Sequence, residues 1–220
     1  MRRFSKPVHW KSGGLARTAG MMYWPVVLGV SVVLTGCASA PPPRTGFISD
    51  YSKLKKMEEG QMRYISPQLR DYDAYIVDPV EMRAKREAIK PEQRAEVANY
   101  MHGALVKVLT TGGYRIAAQP GPKVGRLRVA ITDIQEAKWY LNVHPGTKLT
   151  GAGRGGASME AEVVDSVTGE QLAAAIRSGK GKEFELNPFE TINDVKNVID
   201  QWAKSAGERL KELREAKGRS

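Results

Sequence analysis

One segment constrains this chain more than any other. Met21-Met-Tyr-Trp-Pro-Val-Val-Leu-Gly-Val-Ser-Val-Val-Leu34 is a run of fourteen residues without a charge, preceded by a basic opening and followed by Thr35-Gly36-Cys37. A helix that crosses the hydrocarbon core of a bilayer needs about 20 apolar residues. The run is short for a permanent span and has the length of the hydrophobic part of a signal peptide. Whatever folds is therefore built from the residues beyond it.

Leu34-Thr35-Gly36-Cys37 resembles a lipobox, the recognition site of bacterial lipoprotein processing. Leu34, Thr35 and Gly36 are the expected signal-processing residues, because small residues before the cysteine let the chain lie extended in a peptidase cleft. Cys37 is the expected lipidation site. Its thiol is the nucleophile that accepts a diacylglyceryl group, and the amino terminus freed by cleavage is then open to acylation by a palmitate-like chain. One acyl chain holds a protein on a membrane marginally, whereas two or more hold it stably. Cys37 is also the single cysteine of the sequence, so no internal disulfide and no thiolate metal cluster can form. A buried core cysteine fits poorly between a hydrophobic leader and a Pro-rich stretch, and an uncleaved signal anchor is disfavoured by the length of the run. Ala38 rather than aspartate follows the cysteine, which by resemblance to Gram-negative lipoproteins implies the outer membrane, with the protein facing the periplasm.

The net charge of +10 needs dividing before it is interpreted. Arg2, Arg3, Lys6, Lys11 and Arg17 all lie ahead of Cys37, with no acid among them, so 29 basic residues face 24 acidic ones in the rest. That modest surplus removes the main support for a nucleic-acid partner.

Residues 1–36 are thus read as signal peptide, 37–60 as lipidated cysteine and Pro-rich tether, and 61–220 as one folded domain. The tether begins with Ala38-Ser-Ala-Pro-Pro-Pro-Arg-Thr-Gly46, whose three prolines favour an extended, semi-rigid chain. Tyr75–Val80 reads as a strand, with Pro79 near an edge or at its end. Pro91 suits the first turn of a helix, and Val97, Tyr100, Met101, Ala104, Leu105, Val108 and Leu109 recur at helical spacing until Gly112-Gly113. Tyr114–Ala118 is a further expected strand. Leu127, Val129 and Ile131 alternate with Arg128, Ala130 and Thr132, as in a half-buried strand. Ala157–Val164 and Gln171–Ile176 flank Asp165-Ser-Val-Thr-Gly-Glu170 and predict a hairpin. Thr191 with Asp194 suggests a capping box ahead of a stripe that includes Val195, Val198, Ile199, Trp202 and Leu210. The expected class is α+β: a single domain with a mostly antiparallel sheet and two amphipathic helices packed on one face.

Several segments in order resemble the Gram-negative lipoprotein family known as domain of unknown function 3313. They are Gly46–Leu54, Tyr75–Val80, Leu127–Asp133, Ala157–Glu170 and the closing Trp202 helix. The resemblance spans nearly all of the chain beyond the leader and implies no activity that can be placed on named residues. The order of strands and helices is also similar to that of periplasmic assembly proteins with a curli-secretion-lipoprotein or Tol-associated fold, an analogy of fold only.

Residue constellations with chemical potential are few. Gly151, Gly153 and Gly156 spell GxGxxG, but a dinucleotide site needs a strand before and a helix after, and here a strand follows; the segment reads as a loop whose Lys148 and Arg154 could meet an anion. His102 and His144 stand far apart in sequence, which gives no basis for zinc ligation or a nucleophile–histidine pair. Glu160 and Glu162 share one face of a strand; that spacing serves acid–base chemistry, but equally describes the solvent face of an antiparallel strand, the reading favoured here. Lys138-Trp139-Tyr140 with Arg126 and Arg128 mixes cations and aromatics as a single-strand-binding face does, but without a larger basic surplus it reads as a strand end or a protein-contact patch. No catalytic, metal or cofactor residue is expected. The leading expectation is a non-enzymatic envelope lipoprotein, bound to the membrane through Cys37, whose domain contacts an envelope protein or peptidoglycan. The alternative is a small-ligand module or a hydrolase using Asp78, Asp133 and Asp165, for which those three acids must converge in one pocket.

Overall fold

The computed structural model describes residues 44–57, 61–135, 156–180 and 191–217, all within the compact unit Ala38–Ser220. Eight strands form one sheet: β1 (Lys55–Lys56), β2 (Met62–Ile65), β3 (Ala74–Val77), β4 (Glu81–Met82), β5 (Arg115–Ile116), β6 (Val124–Gln135), β7 (Gly156–Asp165) and β8 (Gln171–Lys180). Their order is β1-β2-β8-β7-β6-β3-β5, with β4 also alongside β6. Two α-helices, α1 (Pro91–Thr111) and α2 (Thr191–Lys217), lie among the described residues. The class is α+β with a mostly antiparallel sheet.

The long strands form where the alternation of side chains predicts them. β6 pairs antiparallel with β7, and β7 with β8 across the turn at residues 166–170. Asp165 makes that turn: its Oδ1 accepts from the backbone N–H groups of Val167 (2.9 Å) and Thr168 (2.7 Å), and Gly169 supplies the positive φ of +74°. β3 is interior rather than at an edge. It runs parallel to β5 and β6 because the chain leaves it, crosses over through α1 and returns in β5, the connection that parallel strands require. β3 and β4 both run beside β6, separated by Asp78-Pro79-Val80, so Pro79 ends a strand as its missing N–H dictates.

Pro91 occupies the first position of α1, and the Gln93 side chain accepts from the Lys90 N–H at 3.0 Å. Three carbonyls of the preceding segment, those of Met82, Ala84 and Lys85, accept from the Arg94 guanidinium at 2.9–3.0 Å and fix the helix entry. Gly113, at φ +76°, ends α1. Of the predicted stripe, Val97, Met101 and Leu109 are buried; on α2 Val195, Val198, Ile199 and Trp202 are. Both helices share a core with Val129, Ile131 and Met159. α2 comes close enough to β8 that a Cβ on Gly179 would meet Val198 Cγ1 at 2.7 Å. Lys196–Glu96 (2.6 Å) and Tyr100–Asp200 (2.9 Å) join the helices at their wet edges.

The expected tether of residues 37–60 is too long. Phe47, Ile48 and Leu54 are buried with Ala130, Ala174 and Ile176 on the sheet face opposite the helices, and Lys55–Lys56 pair with β2. Four apolar side chains (Phe47, Ile48, Tyr51 and Leu54) within eight residues are more than a solvated leash carries, and they bury because the strands offer an uncovered apolar face.

Candidate functional site

The most polar part of the interior lies beneath that N-terminal segment. One register row carries Met62, Ile176, Glu160 and Ala130 across the sheet; the next carries Tyr64, Ala174, Glu162 and Arg128. Glu160 and Glu162 therefore share a face, but it is not the solvent face expected from sequence: their exposures are 0% and 1%. Segment 44–54 covers them and brings the donors that make such burial tolerable. Glu160 accepts the Thr45 N–H at 2.7 Å on one oxygen and the Tyr51 hydroxyl at 2.5 Å on the other. Glu162 accepts the Ser49 N–H (2.9 Å), the Ser49 hydroxyl (2.8 Å) and the Gln171 amide (3.3 Å) on Oε2, and the Arg128 guanidinium (2.8 Å) on Oε1. Gln171 reaches on to the Asp50 carbonyl at 3.1 Å. Burial, with the Glu160 carboxylate beside it, raises the Tyr51 hydroxyl above its ordinary pKa and keeps it a donor.

Arg128 serves twice. Its guanidinium, paired with Glu162, also stands 5.2 Å from the Phe47 ring centroid, and Arg83 stands 5.0 Å away. The arrangement is a clamp: two buried carboxylates and Arg128 fix residues 45–51 to β6, β7 and β8, and Arg83 adds a contact from the end of β4. With every carboxylate oxygen engaged by an internal donor, the pair is not disposed for acid–base work on a substrate.

On the helix face the same strands bound a cavity of about 720 Å³. Its floor includes Ala161, Ala173 and Ala175, its walls Leu105 of α1 and Trp202 and Ala203 of α2, and it reaches Arg63 on β2.

The three aspartates of the hydrolase reading do not converge. Asp78 pairs with Arg126 at 2.9 Å beside the end of β3. Asp165 caps the hairpin, where the Tyr72 hydroxyl (2.6 Å) and the Thr168 N–H hold its carboxyl down at about 2, while burial pushes Tyr72 up to about 12. Asp133 pairs across from Ser158, toward the opposite end of β7 from Asp165. His102 approaches the Val77 carbonyl at 3.4 Å. Arg126 and Arg128 are committed to Asp78 and Glu162. Leu34, Thr35, Gly36 and Cys37, the loop bearing Lys148 and Arg154, Lys138-Trp139-Tyr140 and His144 lie outside the described residues. Gly156 opens β7, so a strand does follow the glycine-rich stretch. No described helix is long and apolar enough to cross a membrane.

Residues 43–206 match the family model described as Protein of unknown function (DUF3313), and the chain belongs to that family. Among solved structures, it is similar to the PelC dodecamer from Paraburkholderia phytofirmans, with 14% identity over 64% of this chain and 93% of that one and a TM-score of 0.41. It is also similar to lipoprotein GNA1162 from Neisseria meningitidis, with 10% identity, coverages of 63% and 96% and a TM-score of 0.36. A third is protein XCC0632 from Xanthomonas campestris, described under DUF330, at 11%, 71% and 95%, and 0.42. No curated protein matches the chain. None of these likenesses assigns a chemistry to the clamp or the cavity.

Proposed function

We propose that the protein is an envelope lipoprotein: residues 1–36 are removed, Cys37 carries the lipid, and the domain beyond works as a non-enzymatic module at the periplasmic face of the outer membrane. Its partner in this reading is another envelope protein or peptidoglycan. The observation that carries the reading is the spacing between Leu34-Thr35-Gly36-Cys37 and the clamp. Thr45, eight residues past the cysteine, is already hydrogen-bonded to Glu160. Eight extended residues reach at most about 29 Å. A lipid on Cys37 would then hold the domain against the bilayer, on a leash whose far end is fastened inside the sheet.

In cells fed a labelled palmitate, the wild-type chain takes up label and Cys37→Ser stays unprocessed and unlabelled. Normal labelling of Cys37→Ser contradicts the anchor. Cross-linking in cells followed by affinity capture recovers an envelope protein or a peptidoglycan fragment in this reading; recovery of the chain alone contradicts it. The cavity beside α2 favours, as a second reading, a small-ligand module on the same anchor, whereas the dispersed aspartates lend nothing to a hydrolase.

A further inference from the structure

The helix-facing side of the sheet is filled unevenly. Beneath α2, Val195, Val198 and Ile199 are fully buried against Val129 and Ile131. Toward β2 the facing residues shrink to alanine: Ala161, Ala173 and Ala175 on the sheet, Ala203 and Ala206 on the helix, all half-exposed although they face inward. Protein interiors hold few voids larger than a water molecule. A space of about 720 Å³ is of another order, and it falls within the roughly 300–1,000 Å³ of small-molecule sites.

The shape and charge of the space narrow the choice of occupant. Arg63, Ala175, Ala161 and Val129 are successive partners in one register row, so the floor runs across four strands. At strand spacing that row is roughly 14 Å long. Apolar side chains line most of it, and at the rim the cations Arg63, Arg177 and Arg209 outnumber the Glu208 carboxylate. Arg209 there is engaged by Glu212 at 2.7 Å. Arg63, a half-buried residue, by contrast makes no hydrogen bond or ion pair among the described residues, and it stands at the open end of the alanine row. A half-buried cation without a partner among the described residues, at the mouth of an apolar trough, is complementary to an anion carrying an apolar tail.

We propose that this cavity binds a single-chain amphiphile with an anionic head, the tail lying over Ala175 and Ala161 beside α2 and the head on Arg63. Binding needs no bond-making step and does not depend on lipidation of Cys37, so it stands or falls separately from the anchor.

The test uses the full chain reconstituted in nanodiscs, titrated with a dansyl-labelled fatty acid against empty nanodiscs of the same lipid. The expected result is a saturable fluorescence rise with the protein that unlabelled oleate reverses. Arg63→Gln weakens binding about tenfold, the loss of one charge-assisted contact. The alcohol analogue of the probe binds wild type at that weaker level and is indifferent to Arg63→Gln. Ala175→Trp fills the trough and abolishes the signal; if that variant does not fold, Ala203→Leu narrows the space from the helix side and weakens it. Reversal by lysophosphatidylglycerol but not oleate assigns the anion to a phospholipid rather than a free fatty acid. No saturable rise over empty nanodiscs, or equal binding by wild type and Arg63→Gln, overturns the proposal. So does a dimer in solution that Ala175→Trp dissociates without any fatty-acid signal, because the trough is then an interface between two copies.

Discussion

Alternate residues of β6, β7 and β8 build two interiors of opposite character. Toward the N-terminal segment the strands present Arg128, Glu160 and Glu162, every one engaged by a named partner. Toward the helices they present Val129, packed under α2, and Ala161 and Ala175, before which the space is open. The polar face is thus the closely specified one. A buried carboxylate demands donors at fixed distances, whereas alanine demands nothing of its neighbours. Burial alone does not mark the rigid side of this sheet; unmet hydrogen-bonding capacity would be costly on one face and is scarcely at stake on the other.

The largest expected effect breaks the polar face. Glu162→Ala strands the Arg128 charge and orphans the Ser49 and Gln171 donors, and should lower unfolding free energy by about 3–5 kcal/mol in denaturant titration. A loss below about 1 kcal/mol would mean that segment 44–54 is not fastened as described. Tyr51→Phe removes a single hydroxyl from Glu160 and should cost about 1.5–3 kcal/mol by the same measurement, with the midpoint shifting and the slope unchanged.

How far the comparison was legible in the sequence depends on where each partner sits in the chain. The strand through Leu127, Val129 and Ile131, the turn at residues 166–170 and both helical stripes depend on neighbours a few residues away, and the structure has these elements where they were expected; the strand is covered on both faces rather than half-buried, because Ala130 lies under the N-terminal segment. The parallel pairing of β3 with β5 and β6 depends on the crossover through α1, which no local pattern in Tyr75–Val80 reveals. Glu160 is 115 residues from Thr45, its donor. A strand reading Met159-Glu-Ala-Glu-Val163 gives no local sign that both acids are covered, and an uncovered strand face is the usual setting for that pattern. The available signal was Phe47, Ile48, Tyr51 and Leu54, too apolar for a leash, within the Gly46–Leu54 stretch that carried part of the family resemblance. The cavity was hidden for the opposite reason: small residues at Ala161, Ala173 and Ala175 look like ordinary packing until the helix opposite is seen to offer Ala203 and Ala206.

Acid sharpens the comparison by acting at the hairpin, outside both faces. Asp165 is held at about 2 against an ordinary 3.8. A carboxyl lowered by folding stabilises the fold above its unfolded pKa, and this contribution fades as pH falls from about 4 toward 2. Asp165→Asn should flatten that part of the stability-versus-pH curve, and Tyr72→Phe should move its midpoint upward; a curve unchanged by either variant would show that the Tyr72 contact does not hold the carboxyl down. The smallest effect belongs to the cavity. Enlarging a residue in a filled core costs about 1–3 kcal/mol. Ala206→Leu faces open space and should change stability by less than about 0.5 kcal/mol in either direction; a larger loss would mean that the helix face is packed as closely as the clamp.

Amide hydrogen exchange in the full chain tests most directly whether two buried glutamates fasten the residues just past Cys37 to the domain. The N–H groups of Thr45 and Ser49 are predicted to exchange as slowly as the backbone of β6 and β7 and to lose that protection in Glu160→Ala and Glu162→Ala respectively. Rapid exchange of both amides in the wild-type chain, while β6 and β7 remain protected, would contradict the clamp.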